Sequence, residues 1–287
     1  MDAIAPDAAA WPAPAKLNRM LHIVGRRADG YHLLQTVFQF LDRGDWLWFE
    51  PRADGAIVRD GEVMGVPAEA DLIVRAARLL QQASGTRQGA SVRIAKHIPM
   101  GGGLGGGSSD AATVLLALNH YWQTGLSLTQ LAELGLCLGA DVPVFVHGHA
   151  AWAEGVGEQL TPVDLDEPWF LVLVPACHVA TGAVFNDPEL TRNAPLITIA
   201  DFLKGAGGNV CEAVVYRRHA EVAAAAAWLE QYAPARLTGT GACVFAAFTD
   251  LHAAARVRDC LPSAWQGFIA RGCNRSPLHT RLAQARI

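Results

Sequence analysis

The sequence predicts an α+β fold in two domains, and three observations lead there. Strand-like and helix-like segments mix along the chain without a strict βαβ rhythm. The length, 287 residues, suits two modest domains with a sizeable core. Hydrophobic residues make up 51% and charged residues only 17%, the balance of a folded globular protein. No internal repeat and no long linker separates the halves, so the expected domains are 1–155 and 156–287, with a site in the cleft between them.

The elements follow in order. Met1 to Ala15 is rich in Ala and Pro, with Asp2 and Asp7 as its only charged side chains before Lys16, and reads as a disordered lead-in rather than a secretory signal. Met20–Gly25 is an apolar strand, Arg26–His32 a polar turn and Leu33–Phe40 the next strand. Asp42-Arg43-Gly44-Asp45 reads as a turn before a strand over Trp46–Glu50. Leu72–Gln82 places apolar residues at 72, 73, 76, 79 and 80, one face of a helix. Ser91–Ala95 is a strand that feeds a glycine-rich loop, and a helix runs from Ser109 to about Tyr121. Ser127 caps a further helix. A hairpin is expected around Gly155-Val156-Gly157, and a strongly apolar strand over Trp169–Pro175 opens the second half. There, helices are expected at 200–204, 209–218, 220–232 and near 250–260, and strands at 235–239, 242–248 and 267–272.

Composition excludes several function classes. The formal net charge is −4 and no basic run is present, which argues against a nucleic-acid partner. The apolar stretch Trp169–Cys177 is too short to span a bilayer, so no membrane role is expected. Nothing in the sequence implies a protein partner. The six cysteines form no Cys-x-x-Cys pair and read as buried small hydrophobes of a reducing cytosol. His147-Gly148-His149 has no third ligand beside it, so no metal ligands are identified. No Gly-x-Ser-x-Gly elbow supports a serine hydrolase.

The most informative segment is Pro99-Met100-Gly101-Gly102-Gly103-Leu104-Gly105-Gly106-Gly107-Ser108-Ser109-Asp110. Six of its twelve residues lack a Cβ, and it runs straight into a helix. A loop of this kind offers unpaired N–H groups and a positive helix end to one small volume, which suits a phosphate. It is not a Walker loop, because Ser108 stands where the lysine belongs. Gly101, Gly103 and Gly106 meet the Gly-x-Gly-x-x-Gly dinucleotide spacing, and a dinucleotide-dependent oxidoreductase stays open as an alternative on that match. A nucleotide triphosphate loop fits more of the segment: Pro99, Gly103-Leu104-Gly105, Ser108-Ser109 and Ala111-Ala112.

Two further signals point to phosphoryl transfer. The chain has three lysines, Lys16, Lys96 and Lys204, against twenty arginines. A lysine in so arginine-rich a chain points to a compact point charge, and Lys16 and Lys96 lie in candidate site segments. Asp141 sits in an otherwise apolar run from Leu134 to Val146, either as a turn residue or as a base. Gly239-Thr240-Gly241, beside a strand, reads either as a tight turn or as a second set of amides lining the cleft.

Taken together, these motifs resemble the small-molecule kinases that include galactose, homoserine and mevalonate kinases. The resemblance rests on Pro14-Ala15-Lys16-Leu17-Asn18, on the 99–112 run and on 238–245, in order. Arg27–His32 and Leu138–Phe145 lie between them and narrow it to a branch that serves non-mevalonate isoprenoid synthesis. The resemblance implies a two-domain kinase fold and ATP-dependent phosphorylation, with Mg2+, of the 2-hydroxyl of a cytidine-diphosphate-linked methylerythritol. A sister kinase acting on a smaller alcohol is the alternative within the superfamily. It further implies that Lys16 and Asp141 form the catalytic pair and that Asn18, Tyr31 and His32 contact the cytidine diphosphate. Phe185 would stack on cytosine opposite Tyr31, with Thr181 closing the pocket and Gly239, Thr240 and Gly241 lining it. Asp71-Leu72 stands where the family usually shows Asn-Leu at the adenine side, and Lys96 lies nearby.

Overall fold

In the computed structural model, which describes residues 7–61, 67 and 70–285, the two longest strands come first. β1 (Trp11–Arg26) and β2 (His32–Arg52) form an antiparallel hairpin. The strand begins before the expected lead-in ends, since Trp11 to Ala15 are already buried members of β1; residues 1–6 lie outside the described residues. Pro12 and Pro14 are tolerated because β1 pairs with β2 alone among the described strands.

The expected turn at 42–45 is not a turn, because β2 runs straight through it. Gly44 lies against the β1 backbone, where a Cβ would sit 2.2 Å from the Ala13 carbonyl oxygen. Asp45 is fully buried and accepts hydrogen bonds from the backbone N–H groups of His97 and Ile98. These turn-type residues therefore serve a close backbone approach and a satisfied buried carboxylate.

β3 (Ile57–Asp60) pairs parallel with β4 (Gly89–Ala95), which pairs antiparallel with β2; α1 (Leu72–Ser84) lies between β3 and β4 in sequence. The glycine loop then opens α2 (Gly106–Tyr121). Ser127 caps α3 (Leu128–Leu136) in a reciprocal box with Gln130. Asp141 immediately precedes α4 (Val142–His147), and β5 (Ala151–Glu154) and β6 (Gln159–Pro162) form the expected hairpin. The second half holds β7 (Trp169–Val174), α5 (Thr181–Phe185), α6 (Ile199–Leu203), α7 (Glu212–Arg218), α8 (Ala220–Leu229), β8 (Ala235–Leu237), β9 (Val244–Phe248), α9 (Leu251–Asp259), β10 (Gln266–Cys273) and α10 (Pro277–Ala285). β3, α4, α5 and α10 add to the expected elements.

The sheet order is β3-β4-β2-β10-β7-β9-β8, with β1 and the β5–β6 hairpin on β2. β10 joins the halves by pairing with β7 along its length and with β2 at Gly272–Leu41 and Cys273–Phe40. One core cluster gathers around α2, whose residues 109–118 are all buried. Leu278 and Leu282 of α10 return to this cluster, so the chain's end packs on the first half. A second cluster lies mainly in the other half, joined by Leu21 and Ile23 of β1. A third, of residues from both halves, includes Leu17, Ile98, Leu104, Phe170, Cys243 and Phe245 and lies under the glycine loop. Of the six cysteines, all free, Cys211 and Cys243 are buried as expected but Cys137 and Cys260 are exposed.

Candidate active site

The glycine loop is held from behind. Gly101 and Gly102 accept backbone hydrogen bonds from Ala242 and Cys243 at 3.1 Å each, and Leu104 accepts one from Lys16 at 2.9 Å. The Gly103 carbonyl accepts from the Thr238 hydroxyl at 3.1 Å and from the Lys16 ammonium at 3.0 Å. The loop's carbonyls are thus engaged by the protein, which leaves the first-turn N–H groups of α2 for a ligand. Leu104, read as a nucleotide contact, anchors the loop with its side chain in the third core cluster.

A cavity opens on each side of this loop. The first, of about 690 Å³, is lined among others by Lys16, Asn18, Tyr31, His32, Asp141, Thr181, Phe185, Gly239 and Thr240. The second, of about 360 Å³, is lined by Asp71, Leu72, Lys96, Pro99, Asp110 and the whole of Gly101–Ser108. Gly103, Gly105 and Ser108 belong to both walls. Ser109 and Gly241 line neither: the Ser109 hydroxyl is buried, and the Gly241 N–H bonds back to Thr238.

Lys16 and Asp141, 125 positions apart in the chain, meet in the larger cavity with Nζ 3.2 Å from Oδ2. The Lys16 side chain is almost wholly buried, and its ammonium also donates to Asn18 Oδ1 at 2.5 Å. Asn18 in turn donates to Thr36 Oγ1 at 2.8 Å, and Thr36 to the Met20 carbonyl at 2.5 Å. A buried ammonium needs such partners, and three acceptors at fixed positions leave it little freedom. Asp141 is one-third exposed and faces the cavity.

Three ion pairs lie at the smaller cavity. Asp71 caps α1 by accepting from the Ile73 N–H at 2.8 Å, and its other oxygen pairs with Arg59. The carboxylate is thus already doubly engaged, which limits what it can offer an adenine. Lys96 bridges the buried carboxylates of Asp45 and Asp110, the latter at 2.7 Å. Burial outweighs the attraction of Lys96 and pushes the Asp110 carboxyl up to about 7, with the like charge of Asp45 adding to it. Asp110 Oδ1 has no hydrogen-bond partner.

At the far end of the larger cavity, His32 stacks on Phe185 with ring centroids 5.1 Å apart and planes 23° apart. Tyr31 is 64% exposed, an aromatic face open to solvent. The Thr181 and Thr240 hydroxyls are hydrogen-bonded at 3.0 Å, closing the wall between α5 and the 239–241 turn. Burial first, then the cations Arg192 and Arg26, hold His32 below the ordinary imidazole range. Four residues of this neighbourhood were missed from the sequence. Thr36, Asp45 and Arg192 act through partners distant in the chain and Arg59 through Asp71, 12 positions on; Asp45 lies in a segment that reads as a turn, and the other three carry no local motif.

Comparison with known proteins identifies the family. The model of the GHMP kinases N terminal domain matches residues 71–149, and that of the GHMP kinases C terminal matches 192–267. The 4-diphosphocytidyl-2-C-methyl-D-erythritol kinase of Nitrosococcus oceani is 61% identical over 93% of this chain and 96% of its own. That of Chromohalobacter salexigens is 61% identical over 94% of this chain and 93% of its own. A crystal structure of 4-(cytidine 5'-diphospho)-2C-methyl-D-erythritol kinase superposes with a TM-score of 0.81 at 31% identity, covering 92% of this chain and 98% of that one. A mevalonate kinase structure, at 12% identity and a TM-score of 0.67, shares the fold. The chain therefore belongs to the GHMP kinases and, within them, to the 4-diphosphocytidyl-2-C-methyl-D-erythritol kinase family.

Proposed function

We propose that the chain transfers the γ-phosphoryl group of ATP to the 2-hydroxyl of 4-diphosphocytidyl-2-C-methyl-D-erythritol, a step of non-mevalonate isoprenoid precursor synthesis in the cytosol. The observation that carries this reading is the shared wall: one glycine loop borders a cavity for the donor and a cavity for the acceptor. Among the described residues no helix is long and apolar enough to cross a membrane. On this proposal residues 1–155 form the nucleotide side and also supply Lys16, Asn18, Tyr31, His32 and Asp141 to the acceptor cavity, which 156–287 completes with Thr181, Phe185, Gly239 and Thr240; α10 packs back on the first half.

The residues then have distinct work. The α2 N-terminus and the loop amides hold the triphosphate. The acceptor oxygen attacks the γ-phosphorus as the bond to the departing ADP oxygen breaks, and its proton goes to Asp141. A loose transition state asks little of a base, so Asp141 mainly aims the hydroxyl. Lys16 offsets charge developing on the transferred group and orients Asp141. Asn18 and Thr36 hold Lys16 in place. Mg2+ fits as an ion carried in on the phosphates. Among the described residues no cluster of three or more His, Cys, Asp or Glu forms a resident cage, and such an ion needs only one or two protein oxygens. Ser108, on both cavity walls, and the unpartnered Asp110 Oδ1 are the candidates to hold it, and it would neutralise phosphate charge.

The test is ADP release with the cytidylyl substrate, compared with homoserine and mevalonate. Turnover is expected with the first alone. Lys16→Met and Asp141→Asn should each lower kcat by about 10²- to 10³-fold with the fold intact. Equal rates with all three alcohols would overturn the substrate assignment, and unchanged rates in either variant would overturn its role.

A further inference from the structure

Arg192, which no sequence motif singled out, reaches the acceptor cavity from behind. Three of its N–H groups are committed to backbone carbonyls: Nη1 donates to Leu190 at 3.1 Å, and Nη2 to Phe185 and Asp187 at 2.8 Å each. This fixes the plane of the guanidinium and aims the Nε–H at His32, whose Nε2 lies 3.2 Å away. An arginine has no acceptor and does not lose its proton, so this hydrogen bond has one possible direction. His32 Nε2 must be the bare, accepting nitrogen. In a neutral imidazole the proton then sits on Nδ1. Protonation of Nε2 would set two donors head to head.

We propose that Arg192 is a positioning residue that locks His32 in its Nδ1–H form and so makes the pocket select cytosine over uracil. This rests on the functional reading above and on the expectation that His32 contacts the cytidine diphosphate of the substrate. Cytosine and uracil have nearly the same shape but differ at one ring atom. Cytosine N3 is an acceptor, whereas uracil N3 carries a hydrogen. A fixed N–H donor pairs with the first and opposes the second. A histidine free to exchange tautomers would satisfy either, because the bare nitrogen could turn to accept from uracil. Stacking on Phe185 holds the His32 ring but is blind to this difference. The same Arg192 ties the Phe185 and Asp187 carbonyls, so one side chain orients both the stacking platform and the reading edge. The depressed basicity of His32, produced by burial and by Arg192 and Arg26, acts in the same direction by keeping the ring neutral.

Two measurements test this. The first uses the free wild-type protein and needs no substrate. Long-range ¹H–¹⁵N spectra of the histidine rings, with His32 assigned by loss of its signals in His32→Gln, should show a protonated Nδ1 and a bare Nε2. The second compares kcat/KM for the cytidine and uridine forms of the substrate in wild type and in Arg192→Met. The wild-type preference for cytidine should fall by about tenfold in the variant, the scale of one hydrogen bond, with KM for ATP unchanged. A wild-type His32 with its proton on Nε2, or a cytidine-to-uridine ratio untouched in a folded Arg192→Met, would overturn the role of Arg192. A wild-type enzyme inactive on the cytidine substrate would overturn the proposed function instead, and the ring spectra would still decide the tautomer.

Discussion

Gly105→Ala isolates how the glycine loop serves the ammonium beside it. Gly105 caps α2 at φ 72° and ψ 18°, a left-handed conformation that costs a residue with a Cβ about 1–2 kcal/mol. A Cβ there would also lie 2.9 Å from Phe145 Cζ and 3.0 Å from both Cγ and Cε of Lys16. Phe145 is fully buried and cannot retreat, so Lys16 must give way. Its ammonium is pinned by Asn18, Gly103 and Asp141, and the stem cannot shift without disturbing those contacts. A displacement of about 1 Å at a catalytic group costs roughly 100-fold in rate. Gly85 supplies the control, since it has φ 69° but open space where a Cβ would stand. Gly85→Ala and Gly105→Ala should each lose about 1–2 kcal/mol in urea unfolding. Only Gly105→Ala should lose about 100-fold in kcat by ADP release. Turnover of Gly105→Ala within a few-fold of wild type would refute the argument that this glycine is needed to seat Lys16.

Three further outcomes follow from the same geometry. Leu104→Ala empties a fully buried site in the core shared by the halves and should cost about 2–5 kcal/mol by denaturant unfolding; a loss near zero would mean that the loop is not anchored there. The Asp110 carboxyl, raised from 3.8 to about 7, keeps in the folded state a proton that the unfolded chain gives up, so it makes stability fall as pH rises between those values. Asp110→Asn should therefore flatten the decline in unfolding midpoint between pH 5 and pH 8, and an identical decline in both proteins would contradict the shift. Phe185→Ala removes the stacking platform and should raise KM for the cytidine substrate about 10- to 100-fold while sparing KM for ATP; an unchanged KM would end the stacking role.

How much of this was legible depends on the range of the cause. α1, α2 and α3 follow from local periodicity and from a serine cap, and the structure keeps them within a few residues of the expected bounds. The continuity of β2 was not legible, because Asp42-Arg43-Gly44-Asp45 carries turn chemistry whose real partners are Ala13 on β1 and the backbone at 97–98. The Lys16–Asp141 pair could be named through the family resemblance alone, since nothing in the spacing of two residues on different elements encodes their meeting. Arg192 was beyond reach for the same reason: its meaning lies in a nitrogen of His32, 160 positions away.

The glycine loop is a case where the sequence shows only part of the cause. A run without side chains gives clearance on the side of a ligand. Clearance is also needed on the protein side. A Cβ on Gly103 would lie 2.1 Å from the Thr238 carbonyl oxygen, and one on Gly102 would lie 2.7 Å from Cys243 Sγ. Both obstacles belong to the 238–243 segment of the second half, which also bonds to the loop's carbonyls. The glycine run therefore lets two halves of the chain close on one loop while its other side stays open. That double demand explains why so long a glycine run stands here, where a helix N-terminus needs only a few exposed amides to bind an anion. It also explains why the two cavities share a wall: Gly103, which borders both, is also a residue that lets the 238–243 segment close on the loop.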